Sequence, residues 1–428
     1  MTSRRQSLVA GLATAVLLAG LAALHPGLRF VDMISFSTRA EALQHGARLV
    51  DGLYPVGYPA LLLVVRWVVG DVLIAGKLLS VLAGAGLVAG ATRWLGWRAG
   101  VWLAAQAGVL IWGATEGTDL LAASCMLAAV ALAPRSPVAG VLLGLACLTR
   151  YTAVAALPIL LLLTPDRGRF LLALVATTSP HWALALVTGV SPLPTQDLNA
   201  SIGAGHASTL WSWDTLQRWP IGVARAAQAA FVDVPTWLGL LGLGVGLWQR
   251  DRRALGLAGL AAGVLLLIGL GFANPRLVLP ATLAIAAGAI WIPGRWTLVP
   301  AAAVAAALAY TPATDADPSA ELVADAVTAT ASLEGPLLAN SPWFHQRQDG
   351  WLVPGVQLTT LVRDPGTLTP SGLAELARAQ GFRYIVLDLV RTRRSFPLLA
   401  PLLAVPVPDG WELVDKPRGW RILKHTDP

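Results

Sequence analysis

The sequence predicts a polytopic α-helical membrane protein of about 11 transmembrane helices, with a small extracytoplasmic α/β domain at the C-terminus. Three observations carry this. Of the 428 residues, 55% are hydrophobic and 13% charged, whereas soluble domains carry about 25% charged residues. Apolar runs of roughly 15–24 residues recur along 1–310, close to the length that crosses a bilayer. The basic residues stand singly or in twos and threes between these runs, which is how membrane topology is written. They form no patch, so the net charge of +7 does not indicate a nucleic-acid partner. Nearly all are Arg; the lysines are Lys77, Lys416 and Lys424.

The N-terminal stretch MTSRRQSLVAGLATAVLLAGLAAL has the charge and apolar core of a signal peptide. Its apolar run is long, however, and no small-residue cleavage site precedes Asp32, so it reads as a retained first span. Further spans are expected near 71–93, 98–114, 117–133, 136–149, 151–164, 168–189, 232–248, 254–271, 276–292 and 296–310. The run from Pro59 to Val69 is too short to span comfortably. With the N-terminus inside, the inner connections carry Arg4 and Arg5, Arg93 and Arg98, Arg135, Arg167 and Arg169, Arg250, Arg252 and Arg253, and Arg295. The short outer connections hold little beyond Arg150 and Arg276. This asymmetry puts the C-terminus outside.

Three longer segments then lie outside: 25–70, about 190–231, and the tail from 311. In the first, STRAEALQHG reads as a short amphipathic helix at the bilayer surface. YPVGYP, with two prolines and Gly57, reads as a rigid turn. In the tail, GPLLANSP and FRYIVLDL read as buried strands, TPSGLAELARAQG as a capped helix ending at Gly381, and WELVDK and WRILKH as closing strands. The domains expected are therefore 1–310, membrane-embedded with the loop 25–70, and 311–428, α/β. Cys125 and Cys147 fall in apolar runs and read as small core residues. His45, His181 and His206 show no metal-ligand spacing.

Polar groups collect at the expected outer face. Asp32 follows the first span, and Asp51 lies in the same loop. GATEGTDLLAA holds Glu116 and Asp119; a helix starting near Glu116 would put both carboxylates on one face. CLTRYTAV supplies Arg150 and Tyr151, and FANPRLVLP supplies Arg276. Each has a bland reading. Acids favour a helix N-terminus, and Thr115 or Thr118 would cap it. Interfacial arginines snorkel. Tyr54, Tyr58 and Tyr151 suit an aromatic belt, and Trp211, Trp213 and Trp219 suit interfacial anchoring.

The order of these segments adds a resemblance. Acid after the first span, VDGLYPVGYPALLLV, AGKLLSVLAGAGLV, TEGTDLLAA, GVLLGLACLTRYTAVAALP and NPRLVLPATLAIAAG together resemble the GT-C membrane glycosyltransferases. The nearest likeness is to bacterial relatives of the protein O-mannosyltransferases and of the lipid A aminoarabinose transferase. It covers about 1–310 and, more loosely, the tail.

The resemblance implies an inverting transfer of sugar from a polyprenyl-phosphate donor to a glycan, lipid or protein acceptor, on the outer face of a bacterial plasma membrane. It implies Asp32 as general base, Glu116 and Asp119 as substrate-positioning acids, and Arg150 and Arg276 as phosphate binders. Tyr54, Tyr58, Tyr151 and Asp51 complete the expected substrate-binding set. Where such enzymes use Mg or Mn, Asp32 and Asp119 are the expected ligands. Met33 stands where the protein O-mannosyltransferases carry Glu after the Asp, which leaves the acceptor open.

Chemistry alone favours the same roles: a leaving phosphate needs cationic stabilisation, and an attacking hydroxyl benefits from a carboxylate. The competing readings are a lipid or solute transporter or flippase, and a non-catalytic glycolipid-binding envelope protein. A transporter would carry ionisable groups near the bilayer midplane and paired repeats. The spans here are nearly free of charge, Lys77 excepted.

Overall fold

In the computed structural model the described residues are 3–24, 33, 36, 37, 39, 40, 55–188, 213–231, 234–270, 276–292, 328–330, 333, 337–340, 356–362 and 365–426. The expected span at 296–310, with Asp32, Asp51 and Tyr54, lies outside them. The chain divides into two compact units, 1–25 with 76–183 and 208–311, and 26–75 with 184–207 and 312–428.

The first unit is a helical bundle. Its helices are α1 Ser3–Leu24, most of α3 Val72–Leu95, α4 Trp97–Ala104, α5 Ala107–Ala114, α6 Asp119–Ala131, α7 Ser136–Thr149, α8 Leu157–Leu163, α9 Arg167–Thr188, α10 Trp213–Ala230, α11 Val234–Trp248, α12 Arg252–Ile268 and α13 Leu279–Ala287. α2, Gly57–Val69, belongs to the second unit. By length and composition α1, α3 and 167–187 are each able to cross a membrane alone. Gln217–Ala230 and Pro235–Trp248 pass only as a pair bent by 111°.

Several expected spans are subdivided. The run 98–114 breaks at Ala105–Gln106, where the fully buried Gln106 caps α5 by accepting from the Val109 N–H at 3.1 Å. The run 151–164 opens as a 3-10 turn, Tyr151–Ala156, before α8. Part of the expected outer loop 190–231 is helix α10. Its apolar residues lie on one face, so no continuous apolar run announces it. Ala226 and Ala230 are buried, and Trp219 Nε1 donates to the Leu266 carbonyl of α12 at 2.9 Å. Trp219 is thus a helix-to-helix tie.

Glycine faces let these helices approach closely. A Cβ on Gly140 of α7 would lie 2.3 Å from the Phe170 carbonyl oxygen of α9, and one on Gly144 would lie 2.6 Å from Thr177. Close backbone approach replaces the hydrophobic drive that a bilayer does not supply. In α9, Pro180 cannot donate to the Ala176 carbonyl; Ser179 Oγ does so instead at 2.9 Å.

The connections alternate between two ends of this unit. At one end, Asp166 N–H donates to Ser136 Oγ, and Trp291 Nε1 donates to Asp251 Oδ2. Asp251 also caps α12 and pairs with Arg253 at 2.7 Å. That hydrogen bond holds the Asp251 carboxyl below the usual carboxylate range. α3, α6 and α13 start at the opposite end, and α7 finishes there.

In the second unit, a five-stranded sheet has the order β2-β1-β3-β5-β4, with β1 Leu337–Ala339, β2 Val356–Gln357, β3 Tyr384–Asp388, β4 Trp411–Asp415 and β5 Trp420–His425. β2, β1 and β3 are parallel; β3, β5 and β4 are antiparallel. Three further helices are α14 Leu358–Leu361, α15 Pro370–Gln380 and α16 Leu389–Ser395. Thr369 caps α15 and Gly381, at φ 73°, ends it. Leu338, Ile385 and Leu423 pack with Leu373, Ala377 and Phe396 in the core.

Candidate functional site

The end of the bundle at which α3, α6 and α13 start holds a buried cluster of five charged side chains. Lys77 lies about one and a half turns into α3. Its Nζ stands 3.9 Å from Glu116 Oε2. Arg150 Nη2 stands 2.7 Å from Asp119 Oδ1, and Arg276 Nε 3.6 Å from Asp119 Oδ2. Glu116 and Asp119 are 0% and 3% exposed. Such burial is tolerated only where opposite charges compensate each other.

Local structure aims each group. Gly117 holds φ 153°, a conformation that favours glycine, and turns the chain between the two acids. α6 begins at Asp119 rather than near Glu116, so the acids do not share a helical face. Each meets a different cation. The capping expectation also fails. Thr118 makes no cap bond; its Oγ1 accepts from Arg150 Nε at 2.9 Å. Thr115 Oγ1 donates back to the Ile111 carbonyl. Arg150 sits where α7 ends, extended at φ −149°. Arg276 opens the turn leading to α13, its carbonyl accepting from the Leu279 N–H.

The arginines therefore do not snorkel. Their side chains are 14% and 17% exposed and turn inward to Asp119. The Arg150–Asp119 contact is an ion pair off the hydrogen-bonding line, because neither Arg150 Nη2 nor the Asp119 oxygens has a hydrogen-bond partner.

Tyr151 and Tyr58, the other expected site residues among those described, make contacts of their own. Tyr151 directs its OH to His181 Nε2 at 3.2 Å, so the pair ties the turn after Arg150 to α9. Tyr58, in the second unit, is fully buried and packs edge-on against Phe36 with ring centroids 4.9 Å apart. It is not part of an exposed belt. Met33 is fully buried, which accounts for an apolar residue beside Asp32.

Lys77 is the member that the sequence reading names only as an exception among nearly uncharged spans. Its signal was present: a lysine inside an apolar helix needs a partner. Asp119 does not fit as a metal ligand, since guanidinium groups face both its oxygens. Among the described residues no three His, Cys, Asp or Glu side chains gather to hold an ion.

No family model matches the sequence, and no curated protein matches it. Solved structures do. ArnT from Cupriavidus metallidurans bound to undecaprenyl phosphate matches with a TM-score of 0.57 at 14% identity, covering 97% of each chain. The same protein in the apo state matches with a TM-score of 0.57 at 15% identity and the same coverage. At this identity the likeness is one of fold.

Proposed function

We propose that this chain is an inverting glycosyltransferase. It moves a sugar from a polyprenyl-phosphate donor to an envelope acceptor, at the outer face of a bacterial plasma membrane. The observation that carries the reading is the buried cluster of Lys77, Arg150 and Arg276 with Glu116 and Asp119, at one end of a bundle with an ArnT-like fold. That ArnT structure holds undecaprenyl phosphate. About eleven spans and an extracytoplasmic C-terminus belong to the proposal.

The chemistry runs through this chain's own side chains. The acceptor oxygen attacks the anomeric carbon and forms the new glycosidic bond. The bond from that carbon to the phosphate oxygen breaks, and the phosphate keeps the electron pair. Asp32 takes the acceptor's proton as general base. Lys77 and Arg276 stabilise the charge that grows on the phosphate, in a buried setting where such contacts count most. Arg150, fixed to Thr118 and Asp119, holds the acid that positions Arg276. No step is routed through a metal.

The test is transfer by the purified full chain from a polyprenyl-phosphate sugar donor in liposomes. Asp32→Asn should lower the rate by roughly 10²–10⁴-fold, the usual loss on removing a general base. Transfer at the full rate would remove Asp32 from the mechanism. The break at Gln106 also suits a flippase, since discontinuous helices recur in transporters. Donor translocation without transfer would favour that reading.

A further inference from the structure

One buried hydroxyl of α3 makes no hydrogen bond. Ser80 of α3 is 1% exposed and its Oγ has no hydrogen-bond partner. Among the described residues it is the one buried hydroxyl in that condition. The other helical hydroxyls show what it forgoes. Thr14, Thr92, Thr115, Ser124, Thr164 and Thr177 each donate to the carbonyl four residues earlier, at 2.6–2.8 Å. The Gly76 carbonyl is the corresponding acceptor for Ser80, yet Ser80 makes no bond to it.

Its register places it at the site. Lys77, Ser80 and Gly84 follow one another at helical spacing on a single face of α3. At the upper end of that face Lys77 meets Glu116. At the lower end a Cβ on Gly84 would lie 3.2 Å from Leu120, and Ser124 Oγ reaches the Ala83 carbonyl at 3.1 Å. α3 and α6 therefore run side by side in the same direction. Ser80 falls between those contacts, level with the start of α6, where Thr118 and Asp119 hold the arginine cluster. A buried hydroxyl without a partner is costly, and such costs persist at functional sites.

We propose that Ser80 is a substrate-contacting residue whose Oγ–H donates to a non-bridging oxygen of the phosphate on the polyprenyl lipid, beside Lys77. This rests on the glycosyltransferase reading and extends it, since neither motif nor charge had marked Ser80. A hydroxyl donating to an anion makes one of the stronger classes of hydrogen bond.

The experiment compares the full chain with Ser80→Ala and Ser80→Thr in detergent micelles, with decaprenyl phosphate, decaprenol and inorganic phosphate as probes. Ser80→Ala should weaken decaprenyl phosphate binding by about tenfold and leave decaprenol binding unchanged. It should also raise the unfolding temperature of the ligand-free protein by about 2 °C, because an unsatisfied polar group has been removed. Ser80→Thr, which keeps the hydroxyl, should restore phosphate binding to within about threefold.

Unchanged decaprenyl phosphate binding in Ser80→Ala, with binding lost in Lys77→Ala and Arg276→Ala, would overturn this inference and leave the glycosyltransferase reading standing. Unchanged binding in all three would defeat both. A lower unfolding temperature in Ser80→Ala would show a structural partner for the hydroxyl and sink the idea. So would displacement of decaprenyl phosphate by inorganic phosphate at comparable concentration, which would assign the site to free phosphate.

Discussion

Asp119 is the residue on which the site turns, because one carboxylate faces two guanidinium groups at unequal distances. Arg150, at 2.7 Å and tied to Thr118, is the structural partner; Arg276, at 3.6 Å, is the looser one. Removing one partner of a buried pair leaves the other charge uncompensated and costs about 3–5 kcal/mol. Arg150→Ala should therefore lower the unfolding temperature measured in detergent, and adding Asp119→Asn to it should recover part of the loss. An unchanged unfolding temperature in Arg150→Ala would mean that the pair contributes nothing to the fold. The sequence flagged Glu116, Asp119, Arg150 and Arg276 because each interrupts apolar surroundings. It could not assign Thr118, whose hydroxyl has a local role as a cap and a distant one as acceptor for Arg150. Only a contact across 32 residues separates the two.

At the scale of elements, glycine faces decide where helices touch. Gly140→Leu would drive a side chain into the Phe170 carbonyl oxygen, 2.3 Å from where its Cβ would stand. The prediction is loss of folded protein, read as aggregation in size-exclusion chromatography. Gly86, on α3, has nothing within 4 Å of a built Cβ. Gly86→Ala should leave the protein folded and raise its stability by up to about 1 kcal/mol through helix propensity. A monodisperse, stable Gly140→Leu would refute the packing described for α7 and α9. Helix existence was legible wherever apolar residues ran continuously, as in α1, α3 and α9. It was not legible in α10, where apolar residues occupy one face only. The break at Gln106 and the change from 3-10 to α at Ala156–Leu157 were equally hidden, because each keeps an apolar sequence around it.

For the whole molecule, the alternation of basic and non-basic connections predicts that a reporter fused after Pro428 lies outside the cytoplasm, and one in the connection at 249–252 inside it. A cytoplasmic C-terminus in a fusion map would overturn the orientation and place the charge cluster on the wrong side for its proposed donor. The sequence by itself determined the class of the molecule and the residues with chemistry to offer. Hydropathy and charge act locally along the chain, so a linear reading captures them. The tertiary structure decided which of those residues meet. Lys77 with Glu116, and Asp119 with both arginines, come from α3, the turn before α6, α6, the end of α7 and the turn before α13. No periodicity links these segments; they converge because close-packed helices share one end of the bundle, where each buried charge needs an opposite one.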